Sequence, residues 1–279
     1  MKLIDFRDSV WGGIVADAYG AAFEFKAPHQ IPKLDSLEQI KRTQVKNVFG
    51  HEVGQFTDDG ILMLCAMKSF IESKKFERNS QMKHIGDYLV RGVFTPDGRC
   101  FDVGMATSQA YNMWEYGGTY NPPYNSGGNG VLMRLAPYAF WSLHNVAGED
   151  KADYYDSVTT LTHGGIANDT TYKMGIMLEC LWSGTFNFED IENFRTMSDD
   201  RTSSGFCEGS WNIALDIFEK GESYERSVLD AIAKGYDTDT NACIVGQLIG
   251  TDIVPSCIPY KYEIENIIQE FKDVCTATN

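Results

Sequence analysis

Apolar residues fall at helical spacing along most of the chain. "FRDSVWGGIVADAYG" keeps a continuous apolar face, with Gly and Ala allowing close packing, and predicts a helix over residues 5–20. "GILMLCAMKSFIE" predicts a strongly apolar helix over 60–72, and 80–92 and 104–116 read as amphipathic helices. "GVLMRLAPYAFW" predicts a helix over 130–142, with Pro137 as a kink or break. The same periodicity returns at 149–162, 168–183, 206–219, 223–234 and 239–251, while β-branched runs at period two are scarce. Short linkers are expected at 26–35, 94–103, 117–129 and 184–188. The densest turn signal is "EYGGTYNPPYNSGGNG" (115–130), with five glycines and two prolines. No repeat, low-complexity tract or composition shift interrupts the pattern, so residues 1–279 are expected to form a single all-α domain.

Composition adds bounds. A chain of 279 residues with 43% hydrophobic content is long enough for a sizeable core. A formal net charge of −15 argues against non-specific nucleic-acid binding, which needs clustered Lys and Arg, but leaves open a local site for a small anion. The seven cysteines (Cys65, Cys100, Cys180, Cys207, Cys243, Cys257, Cys275) are scattered and contain no C-x-x-C. Neither a zinc ribbon nor a disulfide framework is expected, and a reducing, cytoplasmic compartment fits. "MKLIDFRDSVWGG" places acids where a signal peptide needs an apolar run, and no window reaches about 18 apolar residues, so no leader and no membrane span are expected. Nothing demands an oligomer, and a monomer is the expectation.

Two acidic clusters change the picture. "GYDTDTNACIVGQLIG" (235–250) sets Asp237 and Asp239 at the start of an apolar helix, and "FTDDGILML" (56–64) repeats the device with Thr57, Asp58 and Asp59. Capping is the plainer account, since Asp and Thr are good N-caps and the helix dipole favours carboxylates there. Yet one cap needs one acid, and two adjacent acids repel. If the clusters meet in space, four carboxylates and two hydroxyls, those of Thr57 and Thr240, make a hard oxygen site suited to Mg²⁺, Mn²⁺ or Ca²⁺ rather than zinc. An EF-hand loop starting at Asp237 fails, because Ala242 and Leu248 stand where Gly and an acid are required. A phosphatase-type D-x-D follows a buried strand, whereas "YERSVLDAIAKG" before Asp237 is helical in period.

Other candidates are individually weaker. Glu24 lies between Phe23 and Phe25, a setting that raises a carboxyl pKa toward acid–base work, against the plainer reading of a solvent-facing helix end. "NSGGNGVLMRLAP" (125–137) is a glycine-rich turn whose amides, around Ser126, Gly127, Gly128, Asn129 and Gly130, suit a phosphate, although it lacks the lysine of a P-loop. Arg134 within it reads as a buried ion-pair partner. His163 in "LTHGGIANDTT" is either ligand-facing or a satisfied helix-end histidine, and Asp102 in "GRCFDVGMAT" either caps a helix or faces a ligand. No order of Ser, His and Asp suggests a nucleophile.

Together, "GGIVADAYGAAFEF", "FTDDGILML", "GNGVLMRLAPYAF", "LTHGGIANDTTY" and "GYDTDTNACIVGQLIGT" resemble the ADP-ribosylglycohydrolase family, the group that includes dinitrogenase-reductase-activating glycohydrolase. The resemblance spans residues 12–251. It implies a compact orthogonal helical bundle and a binuclear Mg²⁺ or Mn²⁺ site. It carries over Thr57, Asp58, Asp59, Asp237, Asp239 and Thr240 as ligands, Glu24 as a general base near the metals, and Asp102 as an acid near the substrate. Ser126 to Gly130 match the diphosphate cradle and His163 a ligand-side histidine. The implied activity is metal-dependent hydrolysis of the N-glycosidic bond between ADP-ribose and a modified protein side chain, arginine foremost. A free ADP-ribose derivative as substrate, or a non-catalytic ADP-ribose-binding role, are the alternatives. The chain departs from the family's pattern at Gly60, where T-D-D-T is common, and at Tyr236, where G-G-D-x-D-T is common.

Overall fold

A computed structural model describes residues 4–44, 46–118 and 121–277; residues 119 and 120 of the predicted 117–129 linker lie outside them. The described residues are all-α. In chain order the helices are α1 (Phe6–Gly20), α2 (Leu37–Thr43), α3 (Asp58–Ser73), α4 (Arg78–Arg91), α5 (Met105–Gly117), α6 (Ala136–Asn145), α7 (Lys151–Thr159), α8 (Asn168–Ser183), α9 (Cys207–Glu219), α10 (Tyr224–Ile232), α11 (Thr238–Ile249) and α12 (Lys261–Ala277). Two isolated bridges, Lys46 with Glu52 and Gly128 with Phe206, take the place of strands among the described residues.

The centre is the crossing of α1 and α11. A Cβ on Gly12 would lie 2.1 Å from the Gly246 carbonyl oxygen, and one on Gly246 would lie 2.2 Å from that of Gly12. The two backbones touch, which only glycine permits. At the end of α1 a Cβ on Gly20 would meet the Asp239 Cα at 2.5 Å. The small residues visible in the sequence therefore bring the end of α1, and with it Asp17 and Glu24, against the start of α11. α3 packs beside this pair, and α12 closes over α3 with Ile264, Ile267, Ile268, Phe271 and Cys275 buried. Phe6 stacks on Phe140 at 4.3 Å between ring centroids and Phe70 on Trp141 at 4.8 Å, contacts contributing about 0.5–1.5 kcal/mol each beyond area burial.

Three features differ from the sequence-based expectation. Residues 130–142 are not one helix: Asn129–Val131 form a 3₁₀ turn and α6 begins at Ala136. Pro137 sits in its first turn, where no intrahelical N–H is needed, so it starts the helix rather than kinking it. α2 and α12 were absent from the predicted elements, although α12 carries its buried residues at i, i+3, i+4 and i+7. No helix among the described residues is long and apolar enough to cross a membrane.

Candidate active site

The two acid-rich helix starts do not use their acids as caps. A side chain caps the amides at Asp5 for α1, Ser36 for α2, Glu77 for α4 and Ser223 for α10, while α5 to α9 carry no side-chain cap. At α3, Thr57 makes no cap hydrogen bond, and at α11 neither does Asp237. The α3 amides are served from another helix. Asp17 of α1, fully buried, accepts from Thr57 N at 3.0 Å, Thr57 Oγ1 at 2.9 Å and Gly60 N at 2.9 Å. Capping from outside releases Asp58 and Asp59 from that duty. It also accounts for Gly60: a Cβ there would press on Phe56 at 3.0 Å and on the Asp17 carboxylate at 3.2 Å. At α11, Thr238 Oγ1 donates to the Gly20 carbonyl at 2.7 Å and Asp239 accepts from Thr240 N at 2.9 Å.

The two starts meet. One carboxylate oxygen each from Asp17, Asp59 and Asp239 lie within 4.8 Å of one another, and so do one each from Glu24, Asp102 and Asp239. Thr57 Oγ1 and Thr240 Oγ1 donate to Asp59 Oδ2 at 3.3 and 3.5 Å. Asp58 accepts from Gly104 N at 3.2 Å, which ties it to the start of α5. Asp102 is not the cap of α5, whose N-cap is Gly104; its carboxylate joins the acidic group instead. Glu24 is 8% exposed, not a solvent-facing helix end. Asp59 Oδ1 and Glu24 Oε2 are buried without a hydrogen-bond partner.

Burial, the largest cause in each case, raises every one of these acids. Asp58 is pushed up to about 6 and Asp17 to about 7. Glu24 rises to about 8 with the Asp237 charge next in weight, and Asp102 to about 10 with that of Asp58. Asp59 and Asp239 lie well above the carboxylate range, with Asp17 and Glu24 respectively as the next cause. An all-oxygen group with orphaned oxygens and mutual repulsion fits a hard cation.

All of these acids but Asp17 line a cavity of about 980 Å³. Glu24, Asp58, Asp59, Asp102, Asp237, Asp239 and Thr240 line it, together with Ser126, Gly127, Gly128, Asn129, Gly130 and His163. Thr57 stands behind Asp59. The glycine turn is shaped by what lies beneath it. A Cβ on Gly127 would strike Phe206 at 2.3 Å, and Cβ atoms on Gly128 and Gly130 would lie 3.2 Å from the His163 ring. The amides of Ser126 and Asn129 are bonded to Pro123 and Gly205, whereas those of Gly127 and Gly128 have no protein acceptor among the described residues. Asn129 points its side chain the other way, donating to Asp237 Oδ2 at 2.7 Å and Ser210 Oγ at 2.8 Å, and so couples the turn to the acids.

His163 is buried and neutral, its pKa lowered to about 3 by burial and then by the charge of Arg134. Arg134 forms no ion pair among the described residues: fully buried, it donates to Thr162 Oγ1. Because arginine only donates, Thr162 Oγ1 must accept there, and its own proton goes to His163 Nδ1 at 2.7 Å. Nε2 then carries the hydrogen and presents a donor beside Gly128 and Gly130.

The sequence profile of the ADP-ribosylglycohydrolase family matches residues 4–177 and 184–274. The chain belongs to this family. An ADP-ribosylarginine hydrolase Tri1 of Pseudomonas putida is 24% identical over 300 aligned positions, covering 96% of this chain and 77% of that protein. The ADP-ribosyl-[dinitrogen reductase] glycohydrolase of Rhodospirillum rubrum is 22% identical, covering 88% and 85%. A solved structure described as an ADP-ribosylglycohydrolase-related protein complex superposes with a TM-score of 0.77 over 97% of this chain at 22% identity, and so shares the fold. This ADP-ribosylglycohydrolase is accordingly a glycosidic hydrolase with a clustered acidic site.

Several site residues escape sequence reasoning. Asp17 is one, though an acid inside the apolar "GIVADAYG" is itself a signal, because a buried carboxylate demands donors. Arg134 and Thr162 act through His163. The segment Arg201–Gly205 lines the cavity and gave no motif; its Ser203 Oγ donates to the Gly235 carbonyl at 2.5 Å.

Proposed function

We infer that this chain hydrolyses the N-glycosidic bond between ADP-ribose and an arginine side chain of a modified protein, with two Mg²⁺ or Mn²⁺ ions as cofactors. The observation that carries this reading is the pair of orphaned buried oxygens, Asp59 Oδ1 and Glu24 Oε2, on an acidic wall facing a glycine turn with free amides. Asp58, Asp59, Asp237 and Asp239, with Thr57 and Thr240, would hold the cations. When bound, the cations polarise hydroxyl groups and water.

The chain's own residues do the rest. The amides of Gly127 and Gly128 and the Nε2–H of His163 bind the diphosphate. Asn129 holds Asp237 in place. Glu24 in its ionised form, a stronger base than an ordinary carboxylate because burial raises its pKa to about 8, takes a proton from the attacking water. A C–O bond forms at the anomeric carbon as the C–N bond to the guanidinium breaks, through an oxocarbenium-like transition state. Asp102, which burial keeps protonated, delivers its proton to the departing nitrogen. The reading takes residues 1–279 as a single domain, working as a monomer in the cytoplasm, where seven cysteines outside any disulfide are at home.

The test is release of ADP-ribose from an ADP-ribosylarginine protein, an ADP-ribosylserine peptide and free ADP-ribose derivatives, each with Mg²⁺ and with Mn²⁺. Release from the arginine linkage upholds the reading. Turnover of free derivatives alone makes the enzyme a small-molecule hydrolase. Tight ADP-ribose binding without release from any of them makes it a binding protein.

A further inference from the structure

Each acid at the cavity mouth has an aromatic neighbour in the chain: Phe25 follows Glu24, Phe101 precedes Asp102 and Tyr236 precedes Asp237. Phe25 and Tyr236 share a rarer property. Both have left-handed backbones, with φ of +64° and +57°, which a bulky L-residue seldom adopts. Two hydrogen bonds hold them in it: Phe25 N donates to the Tyr236 carbonyl and Tyr236 N to the Lys26 carbonyl, each at 2.7 Å. The result is outward-turned rings. Phe23 is fully buried and Glu24 nearly so, yet Phe25 is 70% exposed and Tyr236 51%, and both line the cavity. From Phe25 the aromatic surface continues to Phe49 at 6.3 Å and on to Phe101 at 5.4 Å. Strain kept in place to expose apolar rings beside catalytic acids calls for a ligand.

We propose that Phe25 and Tyr236 form the surface on which the leaving group stacks, and that the group they fit is the planar, cationic guanidinium of an arginine on the modified protein. The proposal rests on the hydrolase reading above. The acceptor side chain must leave beside Asp102, whose carboxylate lies within 4.8 Å of that of Glu24, and Phe25 reaches Phe101, the residue before Asp102, through Phe49. A guanidinium pairs with aromatic faces through its charge and its plane, and Glu24, ionised as the base, complements its charge. A serine linkage offers neither plane nor charge. A nucleobase also stacks, but its diphosphate is drawn to the amides of the 126–130 turn, whereas the two rings stand at the acidic end.

The experiment compares Phe25→Gly, Tyr236→Gly and Tyr236→Phe with wild type. Glycine adopts a φ near +60° freely, so the glycine variants keep the backbone while losing the ring, and their Tm reports this. Should glycine loosen the loop, Tyr236→Asn, tolerated in the left-handed region, repeats the test. KM and kcat are measured with ADP-ribosylarginine, and Kd for ADP-ribose by calorimetry under the same metal. The expected result is a KM raised about fivefold in each glycine variant with an unchanged Kd for ADP-ribose, and a wild-type KM in Tyr236→Phe. An unchanged KM in both glycine variants, or an equal loss of ADP-ribose affinity, overturns the proposal; the second result would hand the rings to the nucleobase. If wild type does not turn over ADP-ribosylarginine, the hydrolase reading is what fails. The same compound is then titrated as a ligand, and selective weakening of it in the glycine variants upholds the stacking surface, whereas equal affinities overturn it.

Discussion

Glu179 and Asp59 are both buried carboxylates, and the molecule treats them in opposite ways. Glu179 of α8 is answered within the chain: Lys151 pairs with Oε2 and the Tyr155 hydroxyl donates to Oε1 at 2.7 Å. Asp59 of α3 receives two longer hydroxyl contacts on Oδ2 and nothing on Oδ1. Its neighbours Asp17, Asp58, Asp237 and Asp239 likewise form no ion pair among the described residues. The fold supplies a cation where a buried acid serves the structure. Where it withholds one, the cluster suits a cation from solution, whose charge would relieve the repulsion. The comparison thus separates structural acids from functional ones by what lies next to them, not by burial.

The largest effect is expected at Glu24. Glu24→Gln should reduce kcat by about 10²–10⁴-fold, the span of general acid–base catalysis, without lowering the Tm of the metal-free protein. On the structural side, Glu179→Ala leaves Lys151 without its partner. A loss of about 3 kcal/mol in urea unfolding is expected, toward the lower end for a buried pair because Lys151 keeps some exposure, with kcat unchanged. Asp59→Asn inverts that pattern. Removing an unpaired buried charge should stabilise the metal-free protein by about 1–3 kcal/mol at pH 8 and abolish the rise in Tm that Mg²⁺ or Mn²⁺ gives wild type.

The same contrast has a pH signature. Three clustered acids have raised folded-state pKa values, about 6 for Asp58, 7 for Asp17 and 8 for Glu24, so the folded chain holds protons that the unfolded chain has released. Their contribution is fully present below the ordinary carboxylate range near pH 4 and is lost as pH rises toward 8. Thermal melts of metal-free protein should therefore show Tm falling across that window, and added Mn²⁺ should restore more at pH 8 than at pH 6. The smallest effect belongs to the opposite wall. Gly128→Ala puts a methyl 3.2 Å from His163 Nε2 at an ordinary φ of −63°, so Tm should hold while ADP-ribose Kd rises about fivefold, the loss of roughly one hydrogen bond.

Much of this was legible in the chain because the signals were local. Two adjacent acids ahead of an apolar helix have no adequate local use, and the Gly and Ala of "FRDSVWGGIVADAYG" announce a close crossing. What stayed hidden depends on contacts between distant segments. Capping by Asp17 joins residues forty positions apart, and it is what turns Asp58 and Asp59 from caps into candidate cation ligands. The tautomer of His163 depends on Arg134, whose placement follows from α6 starting at Ala136 rather than running through the turn. The exposure of Phe25 and Tyr236 rests on backbone angles that an aromatic residue does not advertise. α2, with seven residues and only Leu37 and Ile40 buried, is too short to show a period.

The most direct test of the central claim, that the two helix starts make one cation-dependent catalytic site, is ADP-ribose release from an ADP-ribosylarginine protein in Mg²⁺, Mn²⁺ and EDTA. Wild type is run beside Asp58→Asn and Asp237→Asn, one variant from each start. Release that needs the metal and is lost in both variants is the expected result. Release that persists in EDTA, or that survives intact in either variant, would contradict it.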